Sequence, residues 1–80
     1  MPTRIRISHK ENGAIPSEAV VTIPTTSGPE EVVVHSSQAS EDSVEAGFIG
    51  REGDRVLVEL PRETVSGRWR VWISKDALIS

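Results

Sequence analysis

The segments Arg55–Leu60 and Arg68–Ile73 alternate in character with a period of two. Val56, Val58 and Leu60 share one parity of the first, and Trp69, Val71 and Ile73 share one parity of the second. Successive side chains of a strand point to opposite faces, so each segment predicts a half-buried strand. Between them, Pro61 to Gly67 opens with proline and closes with glycine, and reads as a hairpin loop. Placing Leu60 opposite Trp69 sets Val58 against Val71 and Val56 against Ile73. The reverse face then pairs Glu59 with Arg70 and Leu57 with Trp72. A slip of one residue would put Val58 against Arg70 and Glu59 against Trp69, spoiling both faces. Cross-strand pairs contribute roughly 0.2–1 kcal/mol each, so several together select the first register. The predicted core row is Val56, Val58, Leu60, Trp69, Val71 and Ile73.

The same pattern predicts four further strands. Thr3–Ser8 alternates Ile5 and Ile7 with Arg4 and Arg6, which gives one wet face and a charged edge. His9–Gly13 ends in Asn-Gly and reads as a turn. Ala19–Ile23 is a strand ended by Pro24, and Glu31–Ser36 another, joined as a hairpin over Thr25–Pro29. Val44–Ile49 places Val44, Ala46 and Phe48 on one parity, with a bulge or sharp bend expected at Gly47. Residues 36–43 are small, polar and acidic, and predict a mobile loop, with Ser40 the candidate cap of one helical turn. After Ile73, Ser74 predicts a capped helical or 3₁₀ turn that lets Leu78 close one end of the core.

The chain thus reads as one all-β domain over 1–80, with five or six antiparallel strands in a small barrel or rolled sheet and a short helical turn at the C-terminus. Closure would remove exposed sheet edges. The layout of strands, tight turns and a final helical turn resembles SH3-like barrels. No family motif matches residue by residue, so no activity follows from the resemblance.

Composition narrows the function classes. Absence of cysteine excludes a disulfide framework, thiolate zinc ligation and a cysteine nucleophile, and fits a reducing, cytoplasmic setting. The longest apolar runs, such as Val32-Val33-Val34, are far short of the ~20 residues that cross a bilayer, and no membrane role is expected. Nor does the start of the chain carry the apolar core of a signal peptide. The net charge of −3 disfavours general nucleic-acid binding but conceals two poles. Glu30, Glu31, Glu41, Asp42, Glu45, Glu52 and Asp54 face only Arg51 within their span, whereas Arg62, Arg68, Arg70 and Lys75 cluster around Glu63.

Candidate chemistry concentrates on Trp72. Parity puts it with Leu57, Glu59, Arg68 and Arg70, where an aromatic beside guanidinium groups can stack on a ring or a partner's side chain, unless the first strand or the 36–43 loop covers it. Arg62, Arg68, Arg70 and Lys75 complete the candidate binding set, as a solvated strand face or as a site for carboxylate or phosphate. His9 and His35 lack metal-ligand spacing, and the acid pairs Glu30-Glu31 and Glu41-Asp42 sit in loops or at a strand start. No nucleophile elbow or phosphate-binding loop is present. The sequence therefore points to no catalytic residue, no metal and no cofactor. The leading expectation is a non-enzymatic module that binds a protein partner or itself through a Trp/Arg face. Single-stranded nucleic-acid or RNA binding is the alternative, and an oligomeric enzyme with an intersubunit site the third reading.

Overall fold

A computed structural model of the 80-residue chain describes residues 3–79. Its strands are β1 (Thr3–Arg6), β2 (His9–Asn12), β3 (Glu18–Thr25), β4 (Gly28–His35), β5 (Ser43–Glu52), β6 (Arg55–Glu59) and β7 (Arg70–Ser74). They form two antiparallel sheets, one of four strands ordered β1-β5-β6-β7 and one of three ordered β2-β3-β4. The sheets are not closed into a barrel. They come nearest to closing where the Thr26 N–H, just beyond β3, donates to the Trp72 carbonyl of β7 at 2.9 Å. On the opposite side the chain itself passes between the sheets. Ile7 N–H bonds Asp42, beside β5, and Ser8 N–H bonds Thr22 on β3.

The register of β6 and β7 is the one that parity selects: Val56 with Ile73, Leu57 with Trp72, Val58 with Val71 and Glu59 with Arg70. Val56, Val58, Leu60, Val71 and Ile73 are buried, and they meet Val21, Ile23, Val32 and Val34 of the other sheet in one core. Trp69 departs from the expectation and is 53% exposed. The β6–β7 ladder ends at Glu59–Arg70, and past it only the Leu60 N–H to Trp69 carbonyl bond holds the pair. Parity predicts a face only while the chain stays in the ladder, and Trp69 precedes the first residue of β7.

The β3–β4 hairpin closes at Thr25–Gly28, with Gly28 at a φ of 115°, a conformation that glycine adopts without a Cβ penalty. β2 occupies the stretch expected to be a turn. His9 to Asn12 carry no apolar alternation, and main-chain pairing with Ala19–Thr22 makes them a polar edge strand. The bulge of β5 lies between Phe48 and Gly50, at Ile49, and not at Gly47. The helical turn expected from Ser40 sits earlier, at Ser36–Gln38. His35 caps it, and Gln38 returns a bond to the His35 N–H. Ser74 caps the Lys75–Ala77 turn as expected, and Leu78 packs half-buried against the core beside Ile5.

Candidate functional site

The outer face of the four-stranded sheet is built by the parity opposite to the core. Three cross-strand rows cross it: Ser74–Arg55–Glu52, Trp72–Leu57–Gly50, and Arg70–Glu59–Gly47. Leu57 and Trp72 are half-buried at its centre. The Arg55 guanidinium lies 4.1 Å from the Trp72 ring centroid, well within cation–π range. Arg55 also holds Glu52 in an ion pair, and Arg70 holds Glu59 at 3.3 Å. Each charged row is thereby close to neutral, with an apolar row between the two.

The candidate cations do not assemble into one patch. Arg70 alone joins the Trp72 face, paired with Glu59 as expected. Arg68 precedes β7 and turns toward Glu30 of β4 at 3.8 Å. Lys75 pairs with Asp54 at 3.4 Å beyond the end of the sheet. Arg62 is exposed in the loop after β6. Arg4 and Arg6 belong to β1, which β5 and β6 separate from β7, so they do not extend the face. Arg55 is the residue of this face that the sequence reading missed. Carrying the register one step past Val56–Ile73 places Arg55 opposite Ser74, diagonal to Trp72, so the signal was available.

Two glycines shape the face. Gly47 and Gly50 lie outside the left-handed region, where only Gly28, Gly53 and Gly67 fall. A Cβ at Gly50 would meet nothing, and one at Gly47 would make ordinary contact with Glu59 at 3.8 Å. Neither turn geometry nor packing calls for glycine there. In a strand, glycine costs roughly 0.5–1 kcal/mol against alanine. Together they leave bare backbone along β5, beside the raised Leu57 and Trp72 side chains. An open cleft of about 560 Å³ lies at Gly47, with Glu45, Phe48, Glu59, Leu60 and Pro61 among its lining.

Among the described residues, Glu30 is the one group whose proton affinity is clearly displaced. Its carboxyl is held below the usual carboxylate range, chiefly by the hydrogen bond from Ser66, then by Thr64, with the Arg68 charge adding and burial opposing. This network ties the loop after β6 to β4 and lies away from the Trp72 face. Among the described residues no group of three or more His, Cys, Asp or Glu stands ready to hold a metal. No helix of the described chain is long and apolar enough to cross a membrane. No family profile, curated protein or solved structure matches the chain.

Proposed function

We propose that the protein is a non-enzymatic binding module that docks a protein partner on the outer face of its four-stranded sheet. The observation that carries this reading is the Trp72–Leu57–Gly50 row. It sets a half-buried indole and leucine, each still partly open to solvent, beside glycines that the fold does not require. Tryptophan and arginine are enriched where interfaces concentrate binding energy, and a ridge beside a bare strand suits a partner side chain seated on backbone. The paired charges favour a protein over a polyanion, because Glu52 and Glu59 answer Arg55 and Arg70 on the same face. The layout behind this face is read as an open relative of SH3-like barrels, on the near-approach of Thr26 to β7 and the 3₁₀ turn after it. A cytoplasmic setting is proposed on the cysteine-free composition alone.

Retention of soluble proteins on immobilised wild type, Leu57→Glu and Lys10→Glu tests the reading. Lys10 lies on β2, in the other sheet, and serves as the control. A protein kept by wild type and Lys10→Glu but lost by Leu57→Glu is the expected result. Equal retention by all three would remove the face from consideration. Titration with labelled oligonucleotides at low salt is expected to leave Trp72 fluorescence unchanged, and a saturable change would favour the nucleic-acid reading.

A further inference from the structure

The free edge of β4 is guarded on either side of Val33 but not at Val33 itself. Ser36 N–H bonds Ser17 at 2.7 Å in line with the β3–β4 register, so the even-numbered residues of β4 turn their backbone groups toward β3. Those of Pro29, Glu31, Val33 and His35 turn away. Pro29 has no donor to offer. The Glu31 carbonyl accepts from Val65 N–H at 2.8 Å, and the His35 N–H donates to Gln38 Oε1 at 2.9 Å. Val33 has no hydrogen-bond partner on this edge among the described residues. An open edge of this kind is a template for another strand.

The guard at Glu31 is the loop 61–69, which belongs to the other sheet's hairpin. Ser66 Oγ donates to Glu30 Oε1 at 2.5 Å, Thr64 and Ser66 hydroxyls lie 3.1 Å apart, and Arg68 approaches Glu30 at 3.8 Å. These contacts strap the loop over the acidic half of β4. Val65 itself is 74% exposed, so no apolar anchor secures the strap at that residue.

We propose that this strap gates a self-recognition edge: when it leaves Glu31, and the Gln38 side chain yields the His35 N–H to the incoming strand, β4 pairs with β4 of a second copy, antiparallel and centred on Val33. The strand is self-complementary in that register. Val33 meets Val33 of the second copy, Val32 meets Val34, and Glu31 meets His35 twice by symmetry, an acid against a base on the outer face. The two three-stranded sheets become one continuous sheet of double width. The outer face of the four-stranded sheet takes no part, so this inference stands independently of the proposed function.

Sedimentation velocity on the full chain tests it, with Val65→Pro and the pair Glu30→Gln/Ser66→Ala as two separate ways of opening the strap. Val65→Pro deletes the donor to Glu31 outright. The wild type is expected to sediment as a monomer, and the opened variants as dimers with a Kd at least tenfold lower than that of the wild type. Adding Val33→Pro is expected to restore the monomer, because its N–H points away from β3 and proline is tolerated on such an edge. Val33→Lys does the same by charge, should the proline variant not fold. Monomers in both opened variants, or dimers that persist with Val33→Pro or Val33→Lys, would overturn the proposal. So would a wild type already dimeric through Val33.

Discussion

Arg55 sits over Trp72, its guanidinium carbon 4.1 Å from the ring centroid. The two residues come from adjacent strands and lie one rung apart on the same face, since Trp72 faces Leu57 and Arg55 faces Ser74. The arginine therefore covers part of the indole and fixes its exposed side. Arg55→Ala is expected to cost about 0.5–1 kcal/mol, the scale of an exposed cation–π contact. It is also expected to increase acrylamide quenching of Trp72 in a Trp69→Phe background. Unchanged quenching would mean that the stacking is absent in solution.

Ile73 and Trp69 share a parity but are expected to respond differently to truncation. Ile73 is fully buried and Trp69 half-exposed, although parity assigns both inward. Ile73→Ala is expected to cost about 2–5 kcal/mol, a large share of a small domain's stability. Trp69→Ala is expected to cost less than about 1 kcal/mol, as surface changes do. Urea unfolding of both variants checks the contrast, and a heavier loss at Trp69 would place it in the core.

Acid should loosen the strap over β4. Glu30 has a carboxyl held below its ordinary range by Ser66 and Thr64. The native state thus binds its proton less readily than the unfolded chain does. The stability it contributes is fully present above the ordinary carboxylate value and is lost as pH falls through the lower, folded value. Glu30→Gln is expected to flatten the loss of stability over that acidic window. The Val65 amide, which donates to Glu31, should lose protection from hydrogen exchange over the same range. An acid limb of equal steepness in Glu30→Gln would contradict this account.

Glycines of the β5–β6 hairpin should separate into two kinds. Gly53 has a φ of 61°, so Gly53→Ala strains the backbone and is expected to cost about 1 kcal/mol. Gly50 has open space and no positive φ, so Gly50→Ala is expected to stabilise by about 0.4–1 kcal/mol. Thermal unfolding of the pair reads the signs directly, and a destabilised Gly50→Ala would assign that glycine to the fold.

Much of the architecture was legible because its elements obey a period of two while paired. The β6–β7 register and the β3–β4 hairpin follow from valine parity and turn chemistry. The failures occur where main-chain pairing acts without a side-chain pattern, or where a pattern outlasts its ladder. β2 has polar side chains and is a strand only because β3 offers it an edge. Trp69 keeps the parity of Val71 but stands outside the last rung. Arg68 and Lys75 share a charge cluster in sequence, yet the loop and the 3₁₀ turn send them to Glu30 and Asp54. Of the candidate site, Trp72 and Arg70 were accessible to the alternation rule, and Arg55 lay one rung beyond where it was applied.

Affinity of the retained protein for Gly50→Val tests most directly whether a partner lies against the bare backbone of β5. Valine suits a strand and its Cβ has open space at that position, so the fold should survive with an unfolding midpoint equal to or above that of the wild type. A Kd raised by at least tenfold, about 1.4 kcal/mol, is the expected result. An unchanged Kd in a fully folded variant would contradict the account.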